Sequence, residues 1–439
     1  METLKGNLLV AQSGGPTPVI NASLAGVLTT ALQFEDEIEE IYGAVNGVEG
    51  ILTENFIDLA AESQQTVRLL KTTPGAALGS CRYKLKKEQD MARILEVFKA
   101  HNIRYFHYIG GNDSQDSSKQ IADYCAAQGY EIRVIGVPKT IDNDLVLTDH
   151  CPGYGSTIKY IATSVRELAC DCESLGRNDL VSIIEVMGRS AGWIAAGASL
   201  AKRRGCPEDA PHLVLLPEVP FNREAFVEAV RNVLSTNKHC VVVAAEGLVD
   251  VDGNYLGANM AVLDAFGHPR LGGVCEYLKS VVEEAFAGVK TRTCRQGHIQ
   301  RTASHFASKT DIDEAFMAGA TAVKAAVAGE SGKMVILVRE EKDRYQIKAE
   351  LAPLEDIANG VKTFPKNWIG ENGMTIGFQF AKYAAPLIQG IPQLTDEAGI
   401  PKMAILDCIP VEKRCAAHEL KNKKYCVSQI LLKNTQLHF

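Results

Sequence analysis

The chain has 439 residues, of which 46% are hydrophobic and 23% charged, and its formal net charge is −7. That length exceeds one ordinary core and suits two domains. The excess of acid argues against nucleic acid or an anionic membrane as the main partner, so an anionic substrate would have to meet local cations. Twelve cysteines show no CxxC pair and no regular spacing, which points to free thiols in a reducing cytoplasm, and no His/Cys set has zinc-ligand spacing. The opening METLKGNLLVAQSGG has too short an apolar run for a signal peptide, and no stretch is long enough for a transmembrane helix.

In chain order, strands are expected at NLLVAQ (7–12), RYFHYIG (104–110), IRVIGV (132–137), LVSIIEV (180–186), HLVLLPE (212–218), CVVVAAE (240–246), KMVILVRE (333–340) and MAILDC (403–408). Most are continuous apolar runs, as parallel strands covered on both faces require. Between them, EQDMARILEVFKAH (88–101) and SSKQIADYCAAQ (117–128) carry helical spacing of apolar residues. The pattern is α/β with doubly wound sheets. The charge run KNKKYC near the end reads as a solvated face.

In such sheets ligands bind beyond the carboxyl ends of the strands, so the residues just after each strand are the informative ones. SGGPTPVINASLAG (13–26) leads into a helix expected near Asn21, and its glycines let backbone N–H groups approach a phosphate; a plain Gly-Pro turn accounts for it as well. GGNDS (110–114) offers the same choice between a ligand loop and an ordinary turn. PKTIDND (138–144) is more specific. Its carboxylates Asp142 and Asp144 can take a proton or hold a metal, and Lys139 can hold a phosphate. MGRSAGW (187–193) puts Arg189 at a strand end, GHIQR (297–301) supplies His298 and Arg301, and Arg292 lies just before. Arginines close together favour an anion site over surface decoration. Glu246 can accept from a sugar hydroxyl or simply cap. Arg82, in GSCRYK, is uninformative alone.

Taken together, these motifs resemble the 6-phosphofructokinases, from about Leu8 through GHIQR and more loosely beyond. The resemblance implies two doubly wound three-layer α/β/α domains with an extended C-terminal segment. Residues 1–153 plus about 300–352 would bind the phosphoryl donor, and 154–299 plus about 353–439 fructose 6-phosphate. It implies Asp142 as the base that takes the 1-hydroxyl proton, with Thr140, Ile141 and Asp144 beside it. Met187, Gly188, Arg189, Glu246, Arg292, His298 and Arg301 would bind the sugar phosphate. Gly15 and Gly111 would contact the donor, Arg82 would stand near the transferring group, and Arg292 would reach across a subunit boundary in a homodimer or homotetramer. ATP-using members usually have glycine where this chain has Asp113 and Lys139. That pair implies inorganic pyrophosphate as donor, with an ATP-dependent enzyme and a non-catalytic regulatory subunit as the alternatives. An Asp113 carboxylate about 4 Å from a nucleotide α-phosphate would repel it by roughly 4 kcal/mol at an effective dielectric near 20. Mg²⁺ is the implied cofactor, although Asn112 replaces the acid associated with it in relatives and binds it more weakly. Leu180 stands where many ATP-using bacterial enzymes carry a second phosphate-binding arginine.

Overall fold

The computed structural model describes residues 4–85, 88–175, 180–257, 259–263, 269–358 and 360–420. KNKKYC lies outside them.

Two sheets organise the chain. The first runs β13-β12-β5-β4-β1-β2-β3, where β1 is Gly6–Gln12, β2 Ile38–Ala44, β3 Phe56–Asp58, β4 Ile103–Gly110, β5 Arg133–Pro138, β12 Lys333–Arg339 and β13 Ile347–Pro353. Its five central strands are parallel and its two edge strands antiparallel. The second sheet is wholly parallel, in the order β11-β6-β8-β7, with β6 Val181–Val186, β7 Leu213–Leu215, β8 Cys240–Ala245 and β11 Thr291–Arg295. Two short pairs, β9 (Asn259–Leu263) with β10 (Pro269–Arg270) and β14 (Asp396–Glu397) with β15 (Ile400–Pro401), stand apart.

Each sheet is covered on both faces, which makes two three-layer α/β/α units. On the first, helices Ile20–Ala31 and Lys309–Val327 close a core around Val10, Ile109 and Val137, and helices Gly47–Leu52, Glu88–Ala100 and Asn112–Ala127 close another around Leu9, Phe106 and Val134. The pair Ile20–Ala31 and Lys309–Val327 approach backbone to backbone: a Cβ on Gly26 would run into the Phe316 carbonyl, and one on Gly319 into that of Ser23. The second sheet lies between a core around Tyr154, Ile184, Trp193 and Val243 and one around Ile183, Val242, Phe226 and Leu278.

The long apolar strands fall where expected to within a residue, but HLVLLPE yields only the short edge strand Leu213–Leu215. MAILDC is not a strand. Ile405 is 84% exposed, and the segment runs extended beside the first sheet through separate bonds, Ala404 N–H to Thr73 Oγ1 (2.8 Å) and Asp407 N–H to Glu62 Oε1 (2.8 Å). The resemblance implies that the segment from about 353 to 439 belongs wholly to the second unit. Its described part is divided: Phe364, Phe380 and Leu387 enter the second unit's core, whereas 403–411 follows β3, where Asp58 N–H donates to Ile409 O and Val411 N–H to Phe56 O. No described cysteine is in a disulfide, and no described helix is long and apolar enough to cross a membrane.

Candidate active site

The carboxyl ends of β1, β4 and β5 face those of β6 and β8 across a cavity of about 390 Å³. In the first sheet, strand order reverses beside β1, which is where a doubly wound sheet leaves a crevice. After β5 the backbone of Lys139 donates to Gly110 O (3.1 Å) and that of Thr140 to Pro152 O (3.3 Å), so segment 140–153 leaves and returns as a closed loop. Within it, Asp142 N–H donates to Thr140 Oγ1 (3.1 Å). Asn143 then takes φ 54°, a left-handed conformation asparagine tolerates better than most residues, and its side chain is fully buried. The reversal leaves Asp142 and Asp144 on either side of it, and both line the cavity.

Lys139 is 2% exposed, and its Nζ donates to Gly15 O (2.7 Å). Gly14 is required beside it: φ is +74°, and a Cβ there would sit 3.2 Å from the ammonium. Arg301 reaches the same loop, with one guanidinium nitrogen 3.0 Å from where a Cβ on Gly15 would lie. Loss of water pushes the Asp142 carboxyl up to about 7, with Asp144 and Glu246 adding repulsion and Lys139 and Arg301 opposing it. The same loss of water brings Lys139 down to about 8 against the pull of Asp142 and Asp144. Asp144 and Glu246 are likewise raised, chiefly by burial. Such a site can take a proton from a hydroxyl near neutral pH while its cations hold an anion beside it.

Of the residues singled out in the sequence, Gly15, Arg82, Gly111, Asn112, Asp113, Lys139, Thr140, Ile141, Asp142, Asp144, Met187, Arg189, Glu246 and Arg301 line this one cavity. Gly188 adjoins it and accepts from Gly247 N–H (3.1 Å). Arg292, on β11, and His298 are exposed and do not line it. GHIQR is nonetheless tied in, because buried Gln300 accepts from Met187 N–H (3.1 Å).

GGNDS is not a free turn. Asn112 and Asp113 form the first turn of helix Asn112–Ala127, which starts five residues before the expected 117. This corrects the picture of Asp113. Its side chain is 65% exposed, and Lys84 Nζ lies 3.5 Å away, so its charge is hydrated and partly paired. Lys84 was not singled out, although it stands in the same GSCRYK stretch as Arg82. Ser13 and Ser114, whose hydroxyls pair, and Tyr83 and Tyr108 also line the cavity without having been predicted. Asn112 donates through Nδ2 to Asp144 Oδ2 (3.2 Å), while its Oδ1 is buried without a hydrogen-bond partner among the described residues. A neutral oxygen left unpaired beside a carboxylate is a fitting start for a hard divalent cation. The other cluster of ligand-type side chains among the described residues, Cys206, Glu208 and Asp209, sits on a loop where Arg203 claims Asp209 through two nitrogens.

Residues 7–346 match the family described as phosphofructokinase. The chain is 42% identical over 419 residues to a pyrophosphate–fructose 6-phosphate 1-phosphotransferase of Halomonas elongata, covering 94% of this chain and 99% of that one. It is 43% identical over 420 residues to the protein of the same name from Xanthomonas campestris pv. campestris, covering 94% and 99%. The crystal structure of a pyrophosphate-dependent phosphofructokinase from Marinobacter aquaeolei superposes with a TM-score of 0.86 at 40% identity, covering 94% of this chain and all of that one.

Proposed function

The chain belongs to the phosphofructokinase family, and from that premise we infer that it transfers a phosphoryl group reversibly between pyrophosphate and fructose 6-phosphate, giving fructose 1,6-bisphosphate and phosphate. The observation that carries the reading is the placement of Lys139. Its buried ammonium lies between the Gly15 loop and Asp142, at the junction of the donor loops with the base.

The donor lies over the loops at Gly15 and Gly111, whose backbone N–H groups and helix N-terminus suit phosphate oxygens. Asp142 accepts the 1-hydroxyl proton as the oxygen attacks the near phosphorus. Thr140 Oγ1 fixes the backbone of the base, and Lys139 and Arg82 spread positive charge over the transferring group and the departing phosphate. Arg189 and Glu246 orient the sugar from the second unit's side and Arg301 from beside the Gly15 loop, with Met187 and Gly188 shaping the wall. His298 and Arg292 complete the 6-phosphate contacts, Arg292 from a neighbouring subunit of a homo-oligomer. Asn112 Oδ1 and Asp144 would hold Mg²⁺ carried in on pyrophosphate, where the ion neutralises donor charge. Donor binding falls to 1–153 with about 300–352, and acceptor binding to 154–299 with the first part of the segment after Pro353. A cytoplasmic setting follows from the substrates.

The test is formation of fructose 1,6-bisphosphate from pyrophosphate and fructose 6-phosphate by the purified chain, with the reverse reaction run on phosphate. Asp142→Ser should lower turnover by several orders of magnitude and leave sugar affinity nearly unchanged. Residual activity within about tenfold, or about 1.4 kcal/mol, means that Asp142 is not the base.

A further inference from the structure

The loop that carries Asp142 is held from behind by a part of the chain more than two hundred residues later, and that part does not line the cavity. Lys362 donates through its backbone N–H to Asp144 O (2.7 Å). Its Nζ donates to Asn143 Oδ1 (3.3 Å), Thr148 O (3.1 Å) and Asp149 O (3.0 Å). Tyr383 accepts from Asn143 Nδ2 (3.0 Å) and donates its own hydroxyl proton to Asp149 O (2.7 Å). Both groups thus meet at Asn143, the residue between the two aspartates, which is left-handed, as Leu147 further along the loop also is. They are themselves fixed. Trp193 Nε1 donates to Lys362 O (2.8 Å), the Lys362 ammonium lies 5.2 Å from the Trp193 ring, and Tyr383 packs on Trp193 and Trp368.

We propose that Lys362 and Tyr383 are positioning residues for the catalytic loop: by satisfying the amide of Asn143 in its left-handed turn, they keep Asp142 and Asp144 aimed into the cavity. The proposal rests on the functional reading above and gives the segment after Pro353 a task in it. Left-handed backbone costs a non-glycine residue free energy, less for asparagine than for most, and the bonds around Asn143 offset that cost. The amide oxygen of Asn143 takes two donors, Cys151 N–H and Lys362 Nζ, and its nitrogen gives one bond to Tyr383. Two of those three bonds come from the later segment. The returning arm has its own anchors. Asp149 accepts from Arg339 (2.8 Å), and His150 bridges Asp149 (2.8 Å) and Glu314 (2.6 Å). Loss of Lys362 or Tyr383 should therefore free the turn at 142–144 without releasing the whole loop.

The second unit offers an internal control. Lys159 Nζ also fastens the later segment, through Gly390 O (2.5 Å), and donates to Ala307 O (3.1 Å), yet it does not touch the catalytic loop. The experiment compares wild type with Lys362→Met, Tyr383→Phe and Lys159→Met, reading kcat, both KM values and amide hydrogen exchange over 140–151. Expected for the first two variants is a fall in kcat of at least about tenfold with KM for both substrates within about threefold, because a misaimed base costs the transition state more than binding. Exchange at 140–151 should quicken in both. Lys159→Met should lower thermal stability and change neither readout. Adding Asn143→Ala to Lys362→Met should cost less than the two losses combined, since the partners share one contact. A kcat within about twofold of wild type in both variants, unchanged exchange, or an equal loss in Lys159→Met overturns the proposal. Should wild type itself fail with pyrophosphate and fructose 6-phosphate, the functional reading falls. The exchange comparison then still decides whether Lys362 and Tyr383 hold the loop.

Discussion

Replacing Asp113 by glycine should admit ATP as a donor, but only modestly. The carboxylate stands in the first turn of helix Asn112–Ala127, 65% exposed and 3.5 Å from the Lys84 ammonium. Two like charges about 4 Å apart repel by roughly 4 kcal/mol at an effective dielectric near 20 and about 1 kcal/mol in water. Exposure and the Lys84 partner place Asp113 near the second figure, as measured energies of exposed charge pairs also suggest. A loss of about 1 kcal/mol is roughly fivefold in kcat/KM. Freeing the helix N-terminus for a phosphate adds about 0.3–1 kcal/mol in the same direction. The expected gain for ATP is therefore about nine- to thirtyfold over wild type. Lys139 differs in kind, being 2% exposed and next to Asp142. Lys139→Gly should cut pyrophosphate turnover by about a hundredfold or more without a gain for ATP, the scale set by losing one preorganised donor. The double variant should favour ATP more than either single one, with effects that do not simply add. The assay is kcat/KM for both donors in wild type, the two single variants and the double. A gain of several hundredfold for Asp113→Gly would refute the exposure argument. No detectable ATP reaction while pyrophosphate turnover survives would mean that another group excludes the nucleotide, and Tyr83 on the cavity wall is the next suspect.

The pH dependence follows from the same groups. Asp142, raised to about 7, is protonated and inactive as a base below that pH, and Lys139, lowered to about 8, loses its charge above it. So kcat/KM should fall on both sides of a narrow maximum between these values, and Lys139→Gly should remove the alkaline limb; a flat profile from about pH 6 to 9 contradicts both assignments. Turnover should require Mg²⁺, and Asn112→Asp should be tolerated and lower the Mg²⁺ concentration needed; full activity in EDTA would sink the metal assignment. Because Arg292 is exposed on β11, an edge strand, and does not line its own chain's cavity, light scattering should find at least a dimer at assay concentration. A fully active monomer contradicts the shared site.

What the sequence made legible was whatever local chemistry decides. Strands β1, β6 and β8 are buried along their whole length, and β4 and β5 are buried except at Arg104 and Arg133, so each appears as a mostly apolar run. Strands at or next to a sheet edge are different. TRTCR at β11 and IEEIYGA at β2 carry charges because one side or end meets water, and no apolar run announces them. MAILDC shows the opposite error. An extended segment beside a sheet keeps apolar residues such as Ala404 and Leu406 against the core, so it resembles a strand although no ladder forms. The early start of helix Asn112–Ala127 was hidden for a related reason. Its first turns, NDSQDSS, are polar because the cavity, not a core, lies against them.

The same division explains the site. Its reacting groups could be read because a doubly wound sheet sends everything after its strands to one edge, so motifs far apart in sequence share a destination before any contact is known. Their support could not be read. Lys362 lies in VKTFPK and Tyr383 in FAKYAA, where neither stretch has a feature that separates a buried tether from a surface residue. Only the fold brings that lysine to four groups of one loop. Asn143 lies inside PKTIDND, where the neighbouring carboxylates carry the chemistry and its amide the geometry. In the folded chain the amide decides which way the carboxylates point. A loop that must place a base raised to about 7 beside a buried cation cannot leave its backbone to local preference, since the strained turn and the clustered charges both oppose it. The opposing free energy is offset by bonds from elsewhere in the chain, so the positioning residues lie outside the motif they serve.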